Sequence, residues 1–185
     1  MGFRDYLRPE DTKQLANAAL EVLAHTGLRV ENDEAAELLL DGGAEREDGR
    51  VLVPKRMVHE ALDRAQSTFR LFGRDGRSLR LGTDSTFVGP GSDALYQVDQ
   101  DTGSIRLSTL RDVAQNVRLV DALDEFQFAM STALPSGIVD RLYARVFAEM
   151  LRNTTKPMAV TMTSVNDFKE IHDMAAIVAG GKKAF

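Results

Sequence analysis

The second half of the chain alternates three times between a short apolar segment and an amphipathic helix. The apolar segments are TFVG, FQFAMS and PMAVTMT, which start at residues 86, 126 and 157. Apolar residues then recur at helical spacing, for example Val113 with Val117 and Val146 with Met150. Parallel strands need a long crossover and a helix that covers their face. The pattern therefore predicts an α/β fold with a parallel sheet.

Two architectures are built from such units, an open doubly wound sheet and a (β/α)8 barrel. An open dinucleotide-binding sheet normally has a glycine-rich turn that leads directly from its first strand into a helix. Here Gly89-Pro90-Gly91 leads into LYQVDQDTGSIRL, which predicts a hairpin turning at residues 101–103. We therefore favour a partial (β/α)8 TIM barrel of about three βα units over residues 86–185.

Residues 1–85 contain shorter elements and predict a small mixed region of helices and β-hairpins. A first helix should stop at Gly27, and a second should start after Asn32, which is a favourable N-cap residue. Asp48-Gly49 and Asp75-Gly76 predict two hairpins, with a helix opened by Pro54 between them.

Helix starts can also be predicted in residues 86–185. Thr109 with Asp112, and Ser164 with Asp167, have the spacing of a capping box. Between these two helices, apolar residues at helical spacing predict a third helix from Val139 to Leu151.

Composition and charge argue against several classes of function. The formal net charge is −5, from 23 basic and 28 acidic residues, and the basic residues are scattered, so we expect no nucleic-acid binding. The absence of cysteine excludes disulfides, zinc-cysteine sites and a thiol nucleophile. The three histidines lack a second ligand at a metal-binding spacing, so no metal site is predicted. With no leader-like or long apolar stretch, we expect a cytoplasmic protein that does not contact a membrane.

Small and polar residues follow each of the three apolar segments, over 89–93, 132–136 and 161–164. In both architectures, ligands gather at the carboxyl ends of the strands. One such loop alone could be only a turn or a helix cap. The three loops together predict a binding site.

Five strings carry a resemblance to a known family, in this order: LAHTGLRVEND, FRLFGRDG, FVGPGSDALY, MSTALPS and MLRNTTKPMAVT. With them the chain resembles the amino-terminal part of the trimethylamine:corrinoid methyltransferase family, which includes members without pyrrolysine that act on glycine betaine and related quaternary amines. The resemblance implies a TIM barrel with an amino-terminal addition. It also implies methyl transfer from a tertiary or quaternary amine to the Co(I) corrinoid (cobalamin) of a separate partner protein, in methylamine metabolism and methanogenesis. No cofactor would then bind this chain directly.

The resemblance implies a small amine substrate, and we expect Ser92, Asp93, Tyr96, Thr132 and Thr163 to bind it, with no catalytic residue assigned. Displacing methyl from a quaternary ammonium releases a neutral amine without a general acid, so the protein mainly holds and aims the substrate. Tyr96 could supply a cation-π contact, with Asp93 orienting it or a polar substrate group. Alternatively, Tyr96 packs on a hairpin and Asp93 bonds its own backbone in a turn.

A complete barrel takes about 250 residues, and this chain of 185 ends where a fourth strand is expected. Uncovered strand edges and an uncovered apolar face predict a homo-oligomer or a need for a missing carboxyl-terminal portion. Two alternatives remain. One is a non-catalytic truncated paralogue or interaction module of the same fold. The other is a TIM-barrel lyase or aldolase, for which we would expect a lysine or paired carboxylates at the strand ends.

Overall fold

The first helix ends at Gly27 in the computed structural model, which describes residues 7–181. Helix α1 spans Pro9–Glu21 and continues as a π-helical stretch, Val22–Thr26. Gly27 has φ 68°, and a Cβ at this position would lie 2.7 Å from the carbonyl oxygen of Val51. Because the backbone conformation and the close approach both require glycine, the predicted stop at Gly27 is confirmed.

The other short elements up to residue 66 also follow their local signals. Asn32 caps α2 by accepting a hydrogen bond from the amide of Ala35 at 2.8 Å. Asp48 and Gly49 have φ values of 46° and 73°, as a two-residue hairpin turn requires. The elements are α2 Asp33–Asp41, β1 Glu45–Glu47, β2 Arg50–Leu52 and α3 Lys55–Arg64. Their core contains Ala36, Ala44, Val51 and Val53.

The chain divides into two compact units between residues 66 and 67. The β3–β4 hairpin belongs to the second unit, and the domain division at residue 85 stays a prediction. The elements of this unit are β3 Phe69–Phe72, β4 Ser78–Leu81, β5 Tyr96–Val98, β6 Ile105–Leu107, α4 Leu110–Ala122, β7 Ala129–Met130, α5 Leu142–Asn153, β8 Met158–Ala159 and α6 Val165–Val178. Strand pairs β3–β4 and β5–β6 are antiparallel hairpins.

Strands β7 and β8 form the predicted parallel pair, with Ala129 opposite Met158 and Met130 opposite Ala159. Helix α5 is the crossover between them, as parallel pairing requires. The core of the unit lies where α4 and α5 pack near this pair. It consists of Val113, Val117, Val120, Ala129, Ala133, Val146 and Met150.

The three apolar segments form less regular strand than the sequence predicts. Residues 86–89 contain no strand, although the Val88 carbonyl accepts a hydrogen bond from the Gln127 amide at 2.9 Å and Ala94 forms a parallel bridge with Ala133. The segment therefore runs beside residues 127–133 in the same direction. Pro90 has no amide hydrogen, and the glycines on either side of it have no side chain to pack, so a continuous ladder does not form.

The predicted helix start at Val139 is wrong. Helix α5 begins at Leu142, and Val139 is fully exposed. Gly137 and Arg141 have φ values of 74° and 54°, which lie outside the helical region. The apolar residues therefore keep a helical spacing over a longer segment than the one that is helical in the structure.

The described residues form a mixed α/β fold with small two-stranded sheets and no closed barrel. The unit β7–α5–β8 has the parallel strands and covering helix of a barrel repeat. A partial (β/α)8 barrel stays a prediction. Within residues 7–181, no helix is both long enough and apolar enough to cross a membrane.

Candidate functional site

Asp93 joins the three loops that follow the apolar segments. Its carboxylate accepts a hydrogen bond from the Ser131 hydroxyl at 2.8 Å and another from the Thr161 hydroxyl at 2.7 Å. Its amide donates to the carbonyl oxygen of Ser131 at 2.6 Å. One carboxylate therefore ties the first loop to the second and the third, just past the carboxyl ends of β7 and β8. We call Asp93, Ser131 and Thr161 the Asp93 cluster.

The local backbone explains how Asp93 reaches these partners. Asp93 has φ 56°, a left-handed conformation that aspartate tolerates better than most residues. Upstream, a Cβ at Gly89 would lie 2.3 Å from the ring of Phe128, so only glycine lets the loop pack against that ring. The turn thus lies against residues 127–133, with the Asp93 carboxylate directed at the loops.

The Asp93 carboxylate keeps part of its capacity to accept hydrogen bonds or to attract a cation. A carboxylate has about four lone-pair sites, and two hydroxyl groups already occupy one on each oxygen. The remaining acceptor sites suit a small molecule that donates a hydrogen bond or carries a positive charge.

The structure places the other predicted site residues differently. Tyr96 begins β5 opposite Leu107 and is 60% exposed, and Ser92 is also exposed. The Thr163 hydroxyl bonds the Asp167 carboxylate at 3.2 Å, so it supports the start of α6. The Thr132 hydroxyl oxygen is buried without a hydrogen-bond partner among the described residues. In residues 7–181, the Asp93 carboxylate is bonded to Ser131 and Thr161 and not to these four side chains.

The sequence analysis does not select Ser131 or Thr161 as site residues. Ser131 ends the apolar segment FQFAMS, which predicts a strand, and Thr161 begins the polar loop 161–164, from which Thr163 alone is selected. Strand β7 ends at Met130 and β8 at Ala159, so both hydroxyl residues lie in loops. A search for hydroxyl groups on every residue near each strand end would have included them.

A second polar cluster fixes the β5–β6 hairpin to α4. The Arg106 guanidinium forms two hydrogen bonds of 2.8 Å with the Asp112 carboxylate, which also accepts from the Thr109 amide at 2.8 Å. Asp112 is buried. The Arg106 hydrogen bond is the main reason why the pKa of Asp112 lies well below its usual range, although burial opposes the shift.

Lys156 is buried at the amino end of β8, away from the Asp93 cluster. Its ammonium group donates to the carbonyl oxygens of Val120 and Leu123 at 2.7 and 2.6 Å, so it satisfies the carboxyl end of α4. Nearby, burial by itself would raise the pKa of Asp121. Hydrogen bonds from the Thr154 hydroxyl and the Thr155 amide outweigh this effect and hold that pKa below its usual range.

Two cavities of this unit are lined by residues other than those of the Asp93 cluster. Two open cavities of about 410 and 540 Å³ lie beside α5 and α6 and share Arg141 and Glu170, an ion pair of 2.7 Å. None of the predicted site residues lines them. In the described part of the chain, no three His, Cys, Asp or Glu side chains come together as a metal site.

Comparison with known proteins identifies the family. The chain matches the family described as Trimethylamine methyltransferase (MTTB) over residues 2–185. It is 33% identical over 187 residues to Trimethylamine methyltransferase MttB of Desulfitobacterium hafniense (strain DSM 10664 / DCB-2), a match that covers 98% of this chain and 36% of the relative. It is 25% identical over 156 residues to L-carnitine:corrinoid methyltransferase of Eubacterium limosum, covering 83% of this chain and 32% of that protein.

A shorter match of 68 residues at 37% identity, to Trimethylamine methyltransferase MttB of Methanosarcina thermophila, covers 36% of this chain and 14% of the relative. The chain spans about a third of the length of the first two relatives, and it aligns with their amino-terminal part. The resemblance drawn from the five sequence strings is therefore confirmed. Because the family match extends over nearly every residue, the chain belongs to the trimethylamine methyltransferase family.

Proposed function

We propose that this chain is part of a cytoplasmic methyltransferase that moves a methyl group from a small tertiary or quaternary amine to the Co(I) corrinoid of a partner protein. Family membership supports the reaction class. The observation that carries the site is the Asp93 carboxylate, which holds the hydroxyl groups of Ser131 and Thr161. Loops at the carboxyl ends of parallel strands are where α/β enzymes build their substrate sites.

The reaction balances without a proton donor when the substrate is a quaternary ammonium or a tertiary amine that is already protonated. The carbon–nitrogen bond breaks with its electron pair left on nitrogen, which releases a neutral amine, and the reduced corrinoid of the partner would supply the electron pair for the new bond to methyl. The residues of this chain then have to bind the amine, aim one methyl group and exclude competing orientations.

The donor set of the Asp93 cluster fits the amine rather than the corrinoid, because it consists of one carboxylate and two hydroxyl groups. The positive charge of the amine disappears as methyl leaves. A strong ion pair would therefore stabilise the bound substrate more than the transition state. We therefore expect the Asp93 carboxylate, which the Ser131 and Thr161 hydroxyls hold in place, to orient the amine rather than to form a tight ion pair with it.

We assign further contacts to the other predicted site residues of the three loops. Tyr96 would give a cation-π contact, which contributes about 0.5–2 kcal/mol depending on desolvation. The Thr132 hydroxyl, unpartnered within residues 7–181, would bond a polar group of the amine. Ser92 and Thr163 would line the outer part of the same loops. A homo-oligomer, or further residues of a longer protein, would complete the site.

The test is methyl transfer by the protein expressed from its complete gene. It is mixed with a reduced corrinoid protein and with trimethylamine, glycine betaine or L-carnitine, and the loss of the Co(I) absorbance is followed. We expect transfer from at least one amine. We also expect kcat/KM to fall at least about tenfold in Asp93→Asn, because misaligned substrate reacts slowly, with Asp101→Asn as a control on an exposed turn. No transfer from any amine would favour the non-catalytic paralogue or interaction module.

A further inference from the structure

The Asp93 cluster offers hydrogen-bond acceptors to a ligand and no side-chain donor. The Ser131 hydroxyl donates to one carboxylate oxygen of Asp93 at 2.8 Å, and the Thr161 hydroxyl donates to the other at 2.7 Å. Each hydroxyl has a single hydrogen, so neither has one left for a ligand. A carboxylate has about four acceptor sites, of which two are used here. The side chains of the cluster can therefore only accept hydrogen bonds from a bound molecule.

Asp93 is also the only charged residue in the three loops. Residues 89–95, 131–139 and 160–166, which include the loops, contain no lysine, arginine or histidine and no second acid. The loops therefore carry one negative charge. A substrate carboxylate placed among them would face a charge of its own sign, and such a juxtaposition weakens binding.

Basic residues just beyond the three loops are engaged or placed elsewhere. Arg106, in the hairpin that follows the first loop, bonds the Asp112 carboxylate with two hydrogen bonds of 2.8 Å. Arg141 and Lys169, near the starts of α5 and α6, line a cavity that no residue of the Asp93 cluster lines. The Thr132 hydroxyl, unpartnered within residues 7–181, adds at most one neutral donor. These residues do not supply the cation that a buried substrate carboxylate needs.

We propose that Asp93 determines which amines this chain accepts: it selects an amine that carries a hydrogen-bond donor, N–H or O–H, and rejects an amine that carries a carboxylate. The inference rests on the proposed function and narrows its substrate class. A donor hydrogen bonded to Asp93 fixes one side of the amine and directs its methyl groups away from the carboxylate, as methyl transfer requires. A substrate carboxylate has no hydrogen to donate, so its oxygens would stay unpaired beside Asp93.

The experiment compares two quaternary amines of nearly the same size, glycine betaine and glycine betaine amide. The amide replaces the carboxylate with a neutral group that donates hydrogen bonds. Dissociation constants are measured by isothermal titration calorimetry with the protein expressed from its complete gene, so that residues outside this chain are the same in every variant. The variants are Asp93→Asn, which removes the charge and adds a donor, and Asp93→Glu, which keeps the charge. Asp101→Asn, on an exposed turn, is the matched control.

We expect the wild type to bind the amide at least about tenfold more tightly than glycine betaine, because repulsion and unpaired oxygens both act against the carboxylate. In Asp93→Asn this ratio should fall to about one, since the new side chain is neutral and can donate to a carboxylate. Asp93→Glu and Asp101→Asn should keep the preference. A wild-type ratio of about one or less would overturn the proposal, even if Asp93→Asn did not fold. A ratio that folded Asp93→Asn leaves unchanged would also overturn it, since residues outside this chain would then set the preference.

Methyl transfer separates this inference from the proposed function. The same proteins are assayed with trimethylamine, choline, glycine betaine amide and glycine betaine, and a reduced corrinoid protein is the acceptor. A wild-type kcat/KM that is highest for glycine betaine would refute the inference and leave the proposed function standing. No transfer from any amine would refute the proposed function, and the inference with it.

Discussion

The Thr161 hydroxyl donates a hydrogen bond of 2.7 Å to the Asp93 carboxylate, although the two residues lie 68 positions apart. The Ser131 hydroxyl bonds the other carboxylate oxygen at 2.8 Å across 38 positions. Three segments that are distant in sequence are thus held by one side chain. Because each bond orients the same carboxylate, a change at one hydroxyl will affect the position of the other loop.

Thr161→Val should lower the free energy of unfolding by about 1.5–3 kcal/mol, because it removes a hydrogen bond to a charged group while keeping the shape of the side chain. Urea unfolding followed by circular dichroism measures the change. Thr163→Val is the control, since that hydroxyl bonds an exposed helix cap at 3.2 Å that Ser164 also supports. Equal losses in the two variants would contradict a special role for the Asp93 cluster.

Gly89→Ala should destabilise the protein by about 1–3 kcal/mol, because the new Cβ would lie 2.3 Å from the Phe128 ring and force it to move. Gly91→Ala serves as the control, since a Cβ there meets no atom within 4 Å. The penalty at Gly89 should shrink in a Phe128→Leu background. Thermal unfolding of the wild type, Gly89→Ala, Gly91→Ala, Phe128→Leu and the Gly89→Ala/Phe128→Leu double variant tests this, and strict additivity would show that the ring is not the cause.

Stability should fall as the pH drops below the ordinary carboxyl pKa of 3.8, in part because of Asp112. Since Arg106 holds the pKa of Asp112 below that value in the folded protein, the unfolded state binds a proton first. The stabilisation is therefore present above about pH 4 and is lost as the pH falls.

Asp112→Asn should flatten the dependence of the unfolding free energy on pH between about 5 and 3. Asp99 also faces Arg106, at 3.3 Å, and its pKa is lowered mainly by the Thr102 amide, so Asp99→Asn should remove a smaller part of the slope. A slope that Asp112→Asn leaves unchanged would refute the assignment. Chemical denaturation at closely spaced pH values provides the measurement.

Lys156→Met should cost about 2–4 kcal/mol of unfolding free energy, because it leaves the carbonyl oxygens of Val120 and Leu123 buried without a donor. Lys169→Met, on the exposed side of α6, should change stability by less than about 0.5 kcal/mol. Differential scanning calorimetry of both variants is the check. If Lys156 acted in catalysis instead, its replacement would reduce turnover without a comparable loss of melting temperature.

Elements with a local cause could be predicted from the sequence. Asn32, Thr109 and Ser164 cap helices because each side chain bonds a backbone amide three residues away. Asp48-Gly49 turns a hairpin because both residues tolerate positive φ. These interactions need no information from distant parts of the chain.

Elements that depend on distant pairing were predicted less well. Whether residues 86–89 become a strand depends on how they pair with residues 127–133, and their composition does not determine this. The prediction of the site residues is limited in the same way. The sequence places Asp93, Thr132 and Thr163 in three loops, but only the folded arrangement selects Ser131 and Thr161 as partners of Asp93. A shift of one residue along an extended segment reverses the direction of its side chain.

The string LRNTTKP, which lies within one of the five strings that carry the family resemblance, connects elements of the fold at the amino end of β8. Thr154 bonds Asp121, and Lys156 bonds the end of α4. Arg74 of the β3–β4 hairpin bonds the carbonyls of Leu151, Thr154 and Thr155. All of these residues lie before β8 in the sequence, whereas Thr161 lies after it. Sharing this string therefore indicates a common framework and does not indicate a common substrate.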